Sequence, residues 1–590
     1  TAVLEKGVEY KIVASNVNDY EFADTSVISA ETDKTIDINF KEKTKYDVTL
    51  NLEGVDNNTV SEVTFTNLNE DGYVYTFTST DNISLRDGVY KVVITKDGYT
   101  QKLTSNLKVN GSAVTKIVKF EKITEPVVLE YKSEITVGTN GDYATINDAL
   151  DAIRAMDRTD DERVTVYIEP GNYEEMIVVD VDNVTLKNAS ENPSLEVINK
   201  GVDIADNAVR ITSYYGHGYY YYSMGSDCKY DEEVLAVNKE NGYYSYANPG
   251  SGTTNGSYWN ATAVIKADGF SADGIIFENS YNQYISEKEA NDIVVEGAGS
   301  KGDRNSLPAG STAVQDKSYV ERAAALAVTD NVKKASFDNC KFIGRQDTLY
   351  GGKNSTVAFN QCDILGATDY IFGGMTAVFF KCNLVLNTSD SANDVAYITA
   401  AQQASGRGYL MYNCNITSTT PGVDTASTKV SKAGYFGRPW SANTSEVVYY
   451  YTVIGEDSQG VSLVEEEGWN SSLGGTSPLS YEYGTYELTG VDNSSSRADW
   501  SKVLDTPVLS DGTAISIAAF LGNWQPFEGE DLSITLPDGT KIDANEPEIE
   551  EPKEDDNQFT KRDWNFAAFG TGVNTSTNTY SENADGTVTV

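Results

Sequence analysis

Four short segments of this chain repeat one pattern: FDNCKF at Cys340, FNQCDI at Cys362, FFKCNL at Cys382 and MYNCNI at Cys414. Each reads as an apolar residue, two further positions, a cysteine, one position and a second apolar residue. The steps between the cysteines are 22, 20 and 32 residues. A period near about 20 to 25 residues built of short strands predicts a solenoid that turns once per repeat, a parallel β-helix. The step of 32 predicts one coil with a longer loop. Equivalent residues of successive coils then lie about 4.8 Å apart, so the cysteines should stack as an internal ladder. Five sparse thiols without close pairing match neither a disulfide framework nor zinc-ligand spacing.

The same count places two carboxylates. In GRQDTLYGGKNSTVAFNQCDILGATDYIFGG, Asp347 follows Cys340 by seven positions and Asp369 follows Cys362 by seven, so they should be neighbours on adjacent coils. Two such carboxylates cannot both ionise cheaply, and one site could then hold an acid beside a nucleophile or base. Spacing alone leaves other readings open, since aspartates in solenoid turns also cap backbone amides or stack beside bound Ca²⁺. Other nucleophiles are poorly represented. The single histidine, His217, lies in a Tyr-rich segment, there is no GxSxG elbow, and no histidine neighbours a cysteine.

At 590 residues the chain exceeds one ordinary globular core. Acidic residues number 88 against 45 basic ones, a formal charge of −43, which argues against nucleic acid as a partner. No apolar run approaches the roughly 18–20 residues that span a membrane. Along the chain we expect a remainder of a β module at 1–43 and a β-sandwich spacer at 44–124, where KYDVTLNLEG and DGVYKVVITKDGYTQKL alternate apolar and polar residues around Asp-Gly turns. The β-helix domain should occupy 125–540, opening with a short amphipathic helix that places Ile146, Leu150 and Ile153 on one face. An acidic linker at 541–560 and the start of a further β module at 561–590 follow. The fold class expected is all-β, a parallel β-helix with small flanking sandwiches.

GRQDTLYGG, GATDYIFGG and YFGRPW (435–440) resemble the signature motifs of the pectin methylesterase (pectinesterase) family, and GTNGDYATINDALDAI, YIEPGNYEE, NATAVIKADGFSADGIIFENS and EEEGWN follow that family's order. The resemblance covers about residues 135 to 525. It implies a right-handed parallel β-helix that removes methyl groups from methylated homogalacturonan, giving pectate and methanol, without metal or other cofactor. Carried over by position, Asp369 would be the nucleophile and Asp347 the proton donor and later base. Gln346 would donate to the oxyanion and Arg438 would orient the nucleophile. Trp440 would offer a flat face to a sugar ring, and Tyr370 and Phe372 would shape the groove.

The chain departs from the family in two places. ERAAALAV puts Arg322 where the family commonly has a glutamine as second oxyanion donor, and Ser257 stands where relatives carry a substrate-contacting threonine. Segments around 213–260 and 280–310 are long for loops and are expected to wall the groove. The resemblance and the flanking modules together suggest a secreted or surface-tethered bacterial, multi-modular enzyme, a monomer whose partner is pectin. The alternatives carried forward are a non-catalytic pectin-binding β-helix and a Ca²⁺-dependent pectate lyase.

Overall fold

The computed structural model describes residues 2–216, 261–291, 307–547, 581–582 and 588–589, apart from 14–18, 24–26, 124–126 and 537–538 and the single positions 30, 71, 103, 105, 318 and 528. It divides into two units, 1–547 and 548–590. Of the second, the described residues are one antiparallel pair, Ser581–Glu582 with Val588–Thr589.

Two short antiparallel pairs precede residue 43, Glu9–Lys11 with Val27–Ser29 and Tyr20–Phe22 with Phe40–Glu42. A sandwich of two four-stranded sheets then spans Lys45–Lys122. Alternation along its strands sends Val63, Phe65, Ile83, Leu85, Tyr90 and Val118 into one core. One pairing breaks the expected antiparallel pattern: Val114–Lys122 lies parallel to Lys45–Glu53. These are the first and last long strands of the module, joined through the rest of it and so free of the hairpin constraint.

The middle of the chain is a parallel β-helix. Among the described residues it has an eleven-stranded sheet from Glu134–Val137 to Lys502–Val503, a nine-stranded sheet from Gly171–Glu174 to Tyr486–Glu487, and a seven-stranded sheet from Ile177–Val179 to Tyr435–Gly437. Every pairing within them is parallel. The helix Ile146–Arg154, capped by the Thr145 side chain accepting from the Asp148 amide, packs Ile146, Leu150 and Ile153 into the first coils.

The interior is stacked by residue type. Phe337, Phe359 and Phe379 pair in register, with ring centroids 5.1 and 4.6 Å apart and planes within 10°. The cysteine ladder is present. Cys340, Cys362, Cys382 and Cys414 are all buried free thiols, and their Sγ atoms follow one rule. Cys362 Sγ donates to Phe337 O at 3.4 Å, Cys382 to Phe359 O at 3.5 Å and Cys414 to Phe379 O at 3.3 Å. Each acceptor lies three residues before the preceding ladder member. Thr452 continues the row on the next coil, its hydroxyl donating to Met411 O at 3.2 Å. The position therefore selects a small side chain able to donate one weak bond inside an apolar stack.

The outer face of the eleven-stranded sheet is also buried, because the segment from Leu509 to Ala544 lays Ile517, Phe520, Leu521, Phe527, Ile534 and Ile542 over Val378, Leu410, Tyr412 and Tyr450. That covering segment includes the pair Ser533–Thr535 with Lys541–Asp543, so ordered structure runs past residue 540. Among the described residues no helix is long and apolar enough to cross a membrane.

Candidate active site

The site lies along the seven-stranded sheet. Leu349 pairs with Ile371 and Ile371 with Thr399, which sets Asp347, Asp369 and Tyr397 side by side on three successive coils. Tyr397 pairs in turn with Tyr435, and their rings stack 5.4 Å apart. Asp347 and Asp369 are 5 % and 7 % exposed, so each side chain is largely removed from water. Both also adopt left-handed backbone, φ 61° and 53°. Asp tolerates that region better than most residues, and its recurrence on two coils follows from their equivalent places in the repeat. The Asp347 amide donates to Thr368 O at 3.1 Å, tying the two turns together.

Arg438 follows the strand Tyr435–Gly437, and its amide donates to Thr399 O at 2.9 Å. Its guanidinium grips Asp369 in a fork, Nε to Oδ1 and Nη2 to Oδ2 both at 2.7 Å. It lies 4.2 Å above the Tyr397 ring, and Nη1 donates to Ser472 Oγ at 3.2 Å. Burial pushes the Asp369 carboxyl above its usual range, while the Arg438 fork and then the charge of Arg322 pull it back. The sequence suggested repulsion between the paired aspartates as the perturbing force; on Asp369 the first cause is loss of water.

Gln346 is partly exposed beside Asp347, and its carbonyl accepts from the Ala323 amide at 3.2 Å. Arg322 is bridged to Gln346 through the backbone and points its charge toward the same site from the preceding coil. Trp440 is 38 % exposed, with its ring 6.2 Å from that of Phe372, which in turn packs 5.1 Å from Tyr350. Phe372 is itself 1 % exposed, so it backs the tryptophan rather than facing the groove. Ser257 and His217 lie outside the described residues.

Tyr370 corrects an expectation: it does not shape the groove. It is fully buried in the solenoid core. The left-handed turn at Asp369 breaks strand alternation, so Tyr370 and Ile371 both point inward and Phe372 outward. Conversely, Tyr397, Tyr350 and Ser472 belong to the site's surroundings and were not foreseen. Tyr397 was detectable only by register, since it fills the coil position that Asp347 and Asp369 hold.

Gly373 closes the strand after Phe372 with φ 108°. A Cβ there would stand 2.1 Å from Gly351 O on the coil below, so the glycine permits the close approach of the two coils that carry Asp347 and Asp369.

The chain is similar to known pectinesterases. The Pectinesterase family model matches residues 304–522. A probable pectinesterase A of Aspergillus flavus is 27 % identical over 379 residues, 64 % of this chain and 84 % of the relative. That of Aspergillus fumigatus is 28 % identical over 392 residues, 66 % and 86 % of the two chains. Among solved structures, the deglycosylated pectin methylesterase from Aspergillus niger is 24 % identical with a TM-score of 0.42, covering 68 % of this chain and 97 % of its own. The pectin methylesterase from Erwinia chrysanthemi gives 20 % and 0.41, covering 69 % and 99 %. The region matched by the Pectinesterase model, 304 to 522, holds the paired aspartates, the Arg438 fork and Trp440.

Proposed function

We propose that this chain is a carboxylic ester hydrolase that removes methyl esters from methylated homogalacturonan, releasing methanol and leaving pectate. The observation that carries the assignment of roles is the two-bond Arg438 fork on Asp369, with Asp347 one coil away. An oriented carboxylate is a competent nucleophile when it is ionised and aimed. Asp369 attacks the ester carbonyl carbon, and the developing oxyanion is met by the Gln346 amide, a kind of donor typically worth about 3 kcal/mol or more. Asp347 protonates the departing methoxide, leaving an acyl anhydride on Asp369. It then takes a proton from the water that hydrolyses that anhydride, which restores both carboxyls.

Arg322 supports a second contribution to the oxyanion, with added positive charge, from the coil before Gln346. Trp440 offers its exposed face to a sugar ring, as aromatic faces do for the apolar side of pyranoses. The flanking β modules support reading the protein as a multi-modular bacterial enzyme that acts as a monomer outside the cell, where its polymeric substrate lies.

Methanol release from pectin by wild type and by Asp369→Asn tests the assignment. Loss of about a thousandfold or more is expected for removal of a covalent nucleophile. Wild type that binds pectin and frees no methanol would mark a binding protein, and unsaturated product without methanol would mark a lyase.

A further inference from the structure

Immediately before Gln346 and Asp347 stands Arg345, a fully buried arginine. Its hydrogen-bond partners are neutral oxygens drawn from four separate segments: Nε donates to Asn282 O at 3.2 Å, Nη1 to Asn387 O at 2.9 Å, and Nη2 to Gln315 Oε1 at 2.7 Å and Thr425 Oγ1 at 3.3 Å. A buried cation held by neutral acceptors is costly unless every donor is well placed. Burial lowers its pKa to about 10, with Asp394, Asp316 and Asp390 opposing through space.

The surroundings are wired to both catalytic turns. Asn387 Nδ2 donates to Gly344 O at 3.0 Å, while the Asn387 amide donates to Gly366 O at 2.7 Å. The Ala367 amide donates to Arg345 O at 2.8 Å. One residue, Asn387, thus binds the turn leading to Asp347 and the turn leading to Asp369. Gln315 extends the hub: its Oε1 also accepts from the Ala426 amide at 2.7 Å, and its Nε2 donates to Gln283 O at 3.0 Å.

We infer that Arg345 is a positioning residue of the esterase reaction, which through Gln315, Asn387 and Thr425 fixes the two left-handed aspartate turns at the spacing the acid and the nucleophile require. The inference rests on the functional reading above and deepens it. It gives the segments around 282, 315, 387 and 425 a shared task, holding the catalytic pair from behind the sheet. Arg345 itself touches no substrate.

The test is steady-state methanol release by Arg345→Lys, with Gln315→Leu and Thr425→Val as milder variants should the first fold poorly. All are compared per folded molecule by circular dichroism, and Arg345→Lys and Thr425→Val are also made in an Asp347→Asn background. Misplacing a catalytic group by a fraction of an ångström predicts a fall in kcat of about tenfold or more with KM within about twofold. In the Asp347→Asn background the same changes should cost clearly less than in wild type, because the spacing of acid to nucleophile no longer enters the rate and only the placement of Asp369 remains. Unchanged kcat in folded variants, or an equal loss in both backgrounds, overturns the inference. A wild type that frees no methanol overturns the functional reading, and this with it; an active wild type with unaffected variants overturns this one alone.

Discussion

At the scale of single residues, the pH behaviour of the proposed reaction turns on Asp369. Its carboxyl is raised from an ordinary value of 3.8, first by burial, against the opposing pull of Arg438 and Arg322. As the proposed nucleophile, Asp369 works ionised, so activity should be lost as pH falls through the folded-state value. The acid limb of kcat/KM should therefore lie above pH 3.8. Arg438→Gln removes the hydrogen bonds and the charge that lower the value and leaves burial in force, so the limb should move to higher pH as well as kcat falling. A pH-rate profile of both proteins checks this, and a limb displaced downward would contradict it. For Arg322, truncation to Ala is expected to lower kcat by about tenfold, less than the loss typical of an enclosed oxyanion donor because the side chain is exposed. Arg322→Gln should recover most of that loss if the role is donation, and a full loss in Arg322→Gln would point to charge instead.

Among the elements, the strand Ile371–Gly373 and its neighbours carry the candidate site. Trp440→Ala should raise KM about fivefold, some 1 kcal/mol of ring contact, with little change in kcat; a kcat effect alone would place the ring in the chemistry. Gly373→Ala combines a left-handed φ with a Cβ 2.1 Å from Gly351 O. It should cost at least about 2 kcal/mol in thermal or urea denaturation. The element scale also shows what was legible in advance. Two regular coils of 22 and 20 residues let a count of seven from each cysteine find Asp347 and Asp369 side by side. The same count from Cys382 arrives at Ser389, yet the position is filled by Tyr397, because a longer loop intervenes in that coil. Loop length is weakly constrained by the core, so register beyond a regular coil is set by pairing that no local pattern announces. Tyr370 misled for a related reason: its inward turn depends on the backbone conformation of Asp369, which side-chain type does not reveal.

For the whole molecule, the formal charge of −43 bears on substrate choice. Pectate carries a carboxylate at each freed residue, whereas methylated stretches are neutral, so the enzyme should favour highly methylated pectin and release product faster at low salt. Rates on high- and low-methylation pectin at two ionic strengths check it; equal, salt-insensitive rates would refute it. The solenoid itself was readable from its repeat, while the sandwich was readable only in part, since the parallel pairing of Lys45–Glu53 with Val114–Lys122 joins strands too far apart in sequence for alternation to specify. Arg345 and its partners were invisible for the same reason, as five segments meet there. The cysteine ladder has one more consequence. Its four thiols are buried and each of the last three is bonded to a carbonyl of the coil below, so a soluble alkylating reagent can reach them only when that coil opens. The rate at which each is modified in dilute denaturant then becomes a built-in gauge of where along its length the spiral first comes apart.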